Sequence, residues 1–365
     1  MLLTYKYPLF AKKSQIAEFK RQCEIHKELY NVALKEKEKQ YEKDKKSDSC
    51  FTQIKNIVPQ YKERNCNYSS LQQTVRRLHK SYSAIYKKKG GKPRYCKNFS
   101  TISFGSHGDG WKLKGDSLYI QNIGNIKINL YKPINEPIHL NLKLINGILY
   151  ACFTVEIFRE SNSVNGQVGL DFGLKNFIVT SNNEKYDHPL PFKNKLSKFQ
   201  KIQNKLSKIE DKKQKDKKYK ILRKIHEKVR NQRLDFLHKL SRKIVNENKV
   251  IAVEDIDFKK LSRSEISNIN RKYADVSCST FYNFISYKAE SAGRQFVKVN
   301  PAYTTQTCSN CGRLNELELK NREYVCKCGK CEDRDFNAAK NILNIGLEKV
   351  QNNIFALGLQ SVVRA

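Results

Sequence analysis

Apolar positions along the chain change period several times, and each change predicts a different element. Residues 2–10, LLTYKYPLF, alternate as a strand does. Ile16, Phe19, Cys23 and Leu29 or Tyr30 then recur at helical spacing behind Ser14, a predicted N-cap. A polar stretch near residues 43–68 separates this helix from a second one. SSLQ supplies a capping-box pattern from Ser69 and Gln72, and Leu71, Val75, Leu78, Tyr82 and Ile85 follow at steps of four and three until KKKGGKPRYCK ends the helix. From about residue 100 to 158 the period shortens to two in the runs SLYIQN, NIKINLY, IHLNLKL and ILYACFTVEIF. Asn146-Gly147 sits where a tight hairpin needs residues that tolerate positive φ. This texture predicts a small antiparallel sheet or barrel.

A second break falls at RESNSVNGQ, after which VGLDFGLKNFIVTSN reads as strand, tight turn, strand. Residues 193–230 carry 16 basic side chains against four acids, yet Leu196, Phe199, Ile202, Leu206 and Ile209 keep a stripe, as do Leu222, Ile225 or His226, and Val229. Two long helices broken near EDKKQKDKK account for that stripe, because a disordered tract would not maintain one. KVIAVEDI is a short buried strand, STFYNFISYKAESAG a helix and RQFVKVNP another strand. Strands alternating with helices predict an α/β sheet. The sequence contains no internal repeat.

At 365 residues the chain is long enough for two or three domains. Its 70 Lys and Arg against 36 Asp and Glu leave a formal charge of +34, which is self-repulsive unless a polyanion neutralises it. Nucleic acid is the expected partner. A membrane surface is the weaker competitor, since no apolar run approaches the ~18 residues of a membrane span, and MLLTYKYPLF lacks the features of a secretory leader. The expected compartment is the cytosol.

Six of the eleven cysteines, Cys23, Cys50, Cys66, Cys96, Cys152 and Cys278, are scattered singly and read as small buried hydrophobes or neutral surface thiols. The other five crowd into residues 308–331. Cys308-x-x-Cys311 is one knuckle, and Cys326-x-Cys328 follows it with Gly329 permitting a tight turn, so that four thiolates suit a tetrahedral zinc. Cys328-x-x-Cys331 is an equally good distal pair by spacing; the first pairing is preferred, with Cys331 as the alternative ligand. Three acids stand out for their settings. Asp171 lies inside an apolar strand and Glu254 ends another, positions where a lone carboxylate is costly without a compensating cation or donor. Asp335 opens the helix DFNAAKNIL, where an acid also serves as an ordinary cap. Together, in a strongly basic α/β chain, the three predict a carboxylate cluster for magnesium, a hard cation that takes oxygen ligands.

The segments VGLDFGLKNFIVTS, NQRLDFLHKLSRKIVNENKVIAVEDI and NPAYTTQTCSNCG with CKCGKCEDRDFNAAKNIL resemble the three RuvC segments and zinc finger of TnpB, the transposon-encoded RNA-guided nuclease regarded as ancestor of the type V CRISPR effectors. The match covers nearly the whole chain, more weakly in LQQTVRRLHKSYSAIYKKKGGKPRYCK. The finger departs from the Cys-x-x-Cys of many relatives by its Cys-x-Cys followed by Cys331. The resemblance implies an α/β RuvC (ribonuclease H-like) nuclease domain with an inserted zinc finger, plus an N-terminal antiparallel β-barrel with an inserted helical lobe. It implies a wedge-type barrel from 1–13 and 98–160, a helical recognition lobe over 14–97, a nuclease core over 161–307 with a basic helical hairpin at 193–245, a finger at 308–331, a final helix at 332–350 and a tail at 351–365. Asp171, Glu254 and Asp335 would be catalytic ligands of two Mg2+ ions, with Asp335 rather than Asp333 at the family's catalytic position and Zn2+ in the finger. Partners would be a guide RNA from the transposon end and double-stranded target DNA cut beside a short adjacent motif. Lys198, Lys201, Lys205, Lys208, Arg223 and Arg230 are candidates for phosphate contacts, which bind without reading sequence. Two alternatives belong to other classes: a nuclease-silent guided repressor, and an ATPase or sugar kinase of the same ribonuclease H-like fold.

Overall fold

In the computed structural model, which describes residues 1–87, 90–157, 164–173, 176–187, 196–206, 209–256, 278–316 and 322–356, the chain divides into two units, Met1–Ile157 and Phe158–Ala365. The first unit is organised by its first strand. β1 (Leu2–Phe10) pairs antiparallel with β7 (Ile148–Glu156) from Leu2 to Pro8, then passes to β5 (Gly124–Ile128) at Leu9 and Phe10. It thereby joins two groups of strands into one seven-stranded antiparallel sheet. β2 (Thr101–Ser103) and β6 (His139–Ile145) extend it on the β7 side, and β4 (Ser117–Ile120) and β3 (Trp111–Lys114) on the β5 side. Alternation fills one face with Tyr7, Trp111, Leu118, Ile126, Leu140, Ala151 and Phe153. The β6–β7 hairpin turns at Asn146 (φ 51°) and Gly147 (φ 85°), as an Asn-Gly pair permits.

The helical insertion is richer than the sequence pattern predicts. α1 (Lys13–Asp44) starts after Lys12, whose backbone N–H is accepted by the Gln15 side chain, so Ser14 is not the cap. α3 (Tyr68–Tyr86) is capped by Asn67, whose Oδ1 accepts the Ser70 N–H at 2.8 Å, which displaces the predicted pair Ser69 and Gln72. The polar stretch near 43–68 holds α2 (Cys50–Ile57) and a 3-10 helix (Val58–Arg64). These elements share a second apolar cluster around Leu29, Leu34, Ile57, Leu71 and Val75.

The second unit is a layered α/β structure. Its five-stranded sheet has the order β10 (Lys185–Tyr186), β9 (Ile178–Thr180), β8 (Gly166–Asp171), β11 (Asn248–Glu254), β12 (Gln295–Val299). β8, β11 and β12 pair parallel, β9 pairs antiparallel with β8, and β10 pairs antiparallel with β9. α4 (Leu196–Leu206) and α5 (Lys212–Glu247) follow β10, and α6 (Cys278–Ser291) lies between β11 and β12. Val168 and Leu170 of β8, with Ile251 and Val253 of β11, pack against Leu237, Leu240 and Ile244 of α5 and Phe281 and Ile285 of α6. Since successive strand residues face opposite ways, Gly169, Asp171, Ala252 and Glu254 belong to the other face. There α7 (Arg334–Ala356) packs, with Ile342 against Ala252 and Val299. Two glycines set how closely it lies. A Cβ on Gly169 would come within 2.1 Å of the Ala339 carbonyl oxygen, and one on Gly346 within 2.5 Å of the Ala252 Cβ.

Among the described residues no helix is long and apolar enough to cross a membrane. The close seat of α7 on β8 yields a direct expectation. Gly169→Ala must push the helix backbone away and should cost about 3 kcal/mol or more, at or above the upper end of overpacking penalties. Gly147→Ala meets no atom within 4 Å and should cost only the ~1–2 kcal/mol of its left-handed φ. Urea unfolding of the two variants beside wild type measures the contrast.

Candidate functional site

The strand pairing by itself brings two acids together. Val253 of β11 is in register with Leu170 of β8, so the next residues, Glu254 and Asp171, end adjacent parallel strands on the α7 face. Both are buried, at 8% and 7% exposure. Asp335 lies in the first turn of α7, and its Oδ2 would sit 3.8 Å from a Cβ built on Gly173, two residues beyond Asp171. Burial, with Glu254 and Asp335 next in effect, pushes the Asp171 carboxyl well above its ordinary range, against the opposing pull of Arg334. Burial likewise raises Glu254, opposed by the Thr304 hydroxyl, which donates to Oε1 at 2.5 Å. Two guanidinium groups border the site: Arg334 Nε is 3.6 Å from Asp335 Oδ1 and Arg322 Nη1 is 3.8 Å from Oδ2. Two buried carboxylates with a third in the neighbouring helix turn make an oxygen donor set suited to a hard divalent cation.

Asp333 has a different occupation. Its Oδ1 accepts the backbone N–H groups of Asp335 and Phe336 at 2.9 and 3.3 Å, capping α7, and its Oδ2 pairs with Lys185 at 2.7 Å.

The cysteine-rich segment leads straight into this helix. The sulphurs of Cys308, Cys311, Cys326 and Cys328 all lie within 4.8 Å of one another, a group that could hold a metal ion, while Cys331 is exposed and outside it. Gly329, at φ 88°, turns the chain so that its N–H reaches the Cys326 carbonyl. The backbone N–H of Cys328 leads in lowering the Cys326 thiol to about 6, and that of Lys330 leads in lowering Cys328. Both shifts favour the thiolates that bind metal. β13 (Glu323–Val325) pairs with β14 (Cys331–Asp333), and β14 continues without a break into α7. Asn337 and Asn341 of α7 grip the first knuckle from below. Asn337 accepts the Ser309 N–H at 3.0 Å and donates to the Thr307 carbonyl at 2.7 Å, and Asn341 donates to the carbonyls of Thr304 and Thr307 at 2.9 and 2.6 Å. The knuckle, Thr304 and Asp335 thus hang from one helix.

Of the basic candidates, Lys201, Lys205, Arg223 and Arg230 are exposed on α4 and α5. Lys198 lies in α4 with its side chain outside the description, and Lys208 lies outside the described residues. Sequence reasoning missed Thr304, Asn337, Asn341, Arg322 and Arg334, which border the acids or tie the knuckle to the helix. For Thr304, Asn337 and Asn341 the available signal is the polar residues of NPAYTT and NAAKN on either side of the cysteines.

Comparison with known proteins adds lineage to this geometry. Residues 151–265 match a family model described as a probable transposase, and residues 279–342 match the Cas12f1-like TNB domain. A protein of Streptomyces pristinaespiralis described as a putative RNA-guided DNA endonuclease is 24% identical over 94% of this chain and 89% of its own length. A TnpB-like protein of Acanthamoeba polyphaga mimivirus is 33% identical over 51% of this chain and 38% of its own. In structure, the chain is similar to Cas12f1 solved with its sgRNA and target DNA, at a TM-score of 0.62 and 17% identity, covering 91% of this chain and 83% of that one. The fold is therefore one shared with a Cas12f nuclease. These matches bear out the resemblance to the TnpB family carried by the motifs around Asp171, Glu254 and the cysteine-rich segment.

Two expectations follow. Protein prepared with zinc should retain it on desalting, Cys308→Ser or Cys326→Ser should lose it and lower the melting temperature, and Cys331→Ser should keep it; elemental analysis beside thermal melts checks all three. For the acids, raised values mean that protonation favours the folded state. That stabilisation is complete below the ordinary 3.8 and 4.5 of Asp and Glu and is lost as pH rises through the raised values. Melting in chelator should therefore fall as pH rises above about 4. Asp171→Asn should flatten the fall and melt higher than wild type at neutral pH.

Proposed function

We propose that this chain is an RNA-guided DNA endonuclease whose catalytic set is Asp171, Glu254 and Asp335. The carrying observation is the register of β8 and β11, which leaves two buried carboxylates side by side at the helix turn that bears a third. The donor set fits magnesium, and two such ions held there would supply Lewis-acid stabilisation of the attacking and leaving oxygens of a phosphodiester. The chain's own groups set the stage. Thr304 fixes one oxygen of Glu254 and tempers its rise, and Arg334 offsets part of the repulsion at Asp171. Asp333 holds the first turn of α7, and hence Asp335, in place. No protein nucleophile is required.

The second unit reads as a RuvC-type nuclease core, the first as a wedge-type barrel with a helical lobe between β1 and β2, and the Cys308, Cys311, Cys326 and Cys328 group as a zinc site. The relative from Streptomyces carries the name of an RNA-guided DNA endonuclease over almost all of this length, which supports guide RNA and double-stranded DNA as partners. A charge of +34 and the exposed basic faces of α4 and α5 support backbone gripping of such a polyanion. A guide derived from the transposon's own end is the source that this reading implies.

Purification from cells carrying the native flanking DNA should yield a uniform co-purifying RNA. With that RNA and magnesium the complex should cut matched duplex DNA. Glu254→Gln should abolish cutting and keep target binding, whereas a guided repressor would bind and cut in neither form. Binding should also weaken ~1000-fold or more from 50 to 200 mM salt if ~6 to 10 phosphates are neutralised.

A further inference from the structure

The segment that supplies Thr304 contains a residue with no part in the site as described. Tyr303 has φ 64°, and it is the one aromatic among the non-glycine residues with positive φ in the described chain. A bulky side chain in the left-handed region is strained, and such strain persists only where surrounding bonds over-determine it. They do so here. The Tyr303 carbonyl accepts the N–H groups of Gln306 and Thr307 at 3.0 and 2.9 Å and the Thr307 hydroxyl at 2.9 Å. The next residue, Thr304, is 2% exposed and bonded both to Glu254 and, through its carbonyl, to Asn341. This turn drives Thr304 into the carboxylate site and turns the tyrosine ring outward.

The ring is 62% exposed, and among the described residues it meets no other ring or cation and its hydroxyl has no hydrogen-bond partner. Tyr131 and Tyr95 are exposed but tethered, the first donating to the Lys6 carbonyl with its ring 4.5 Å from that of Tyr7 and the second donating to Glu38, whereas Tyr41, Tyr68, Tyr86, Tyr119 and Tyr219 are as bare as Tyr303. Only Tyr303 combines a bare ring with a positive φ and a place beside the carboxylates. Glycine would adopt this backbone without strain. The chain instead holds a bare aromatic face one residue from the hydroxyl that touches Glu254.

We propose that Tyr303 is a positioning residue that stacks on an unpaired base of single-stranded DNA, seating the neighbouring phosphodiester at the carboxylates. This rests on the nuclease reading above and specifies the form of the substrate. A base within a duplex has both faces covered by its neighbours, so a stacking platform selects an unpaired strand, and it tolerates any base because every base presents a π face.

The test uses a single-stranded DNA oligomer carrying 2-aminopurine, titrated with the full chain in calcium buffer. Binding should quench the probe. Tyr303→Ala should lose the quenching and bind roughly 5- to 150-fold more weakly, while Tyr303→Phe and Tyr303→Trp should match wild type. Tyr303→Gly should bind as weakly as Tyr303→Ala yet melt at a higher temperature, because only glycine relieves the left-handed φ; this separates a lost ring from a misfolded turn. Wild-type failure to quench the probe, undiminished binding by Tyr303→Ala, or a Tyr303→Phe variant as weak as Tyr303→Ala would each overturn the proposal. Cleavage of guided duplex that depends on Glu254 is scored separately, so loss of the stacking role and loss of the nuclease reading give different results.

Discussion

Two carboxylates that a parallel register forces into adjacency dominate the second unit. Asp171 and Glu254 end neighbouring strands on the same face, and burial combined with their mutual field works against charging both. Moving either residue by one position would rotate it to the α5 and α6 face, among Val168, Leu170, Ile251 and Val253. The same alternation that builds an apolar core on one side thus delivers the acids to the other. The rest of the unit can be understood as the means of holding that arrangement.

α7 is the principal means. It lies on β8 and β11 at a distance only glycine and alanine allow, with Gly169 beneath Ala339 and Gly346 beside Ala252. Its first two turns carry Asp335, Asn337 and Asn341, and the two amides seize the carbonyls of Thr304 and Thr307. The cysteine group closes the segment between them, so that the chain leaving the last hairpin strand has little freedom in where it starts the helix. A displacement at the knuckle would be felt at Thr304 and hence at Glu254.

The parts of this arrangement that could be read in the sequence are those with a short-range signature. An apolar strand ending in an acid marks Asp171 and Glu254, because apolar burial and a charge conflict locally. Paired cysteines announce themselves by spacing. Asn67 and Gln15 were harder to read, since several polar residues near a helix start compete for the same N–H groups and only the chain's approach direction selects one. α2 is eight residues long, too short for a period to emerge from a polar stretch, and it holds through Ile54 and Ile57 docking on α1 and α3. Gly169 and Thr304 are illegible in isolation: what each does depends on a partner more than 100 or about 50 residues away.

The path of β1 has a bearing on the order in which the protein can be made. Residues 2–8 find their partners at 150–156, and residues 9–10 find theirs at 127–128. While the ribosome is still adding those later strands, residues 2–10 have none of these partners to pair with. The three helices that follow can meanwhile assemble on their own cluster of Leu29, Ile57 and Leu71. Synthesis therefore leaves β1 as an unpaired ribbon ahead of helices that have a cluster of their own. Closure of the sheet must wait for partners more than 115 residues away, and such distant pairings are the slow ones to form.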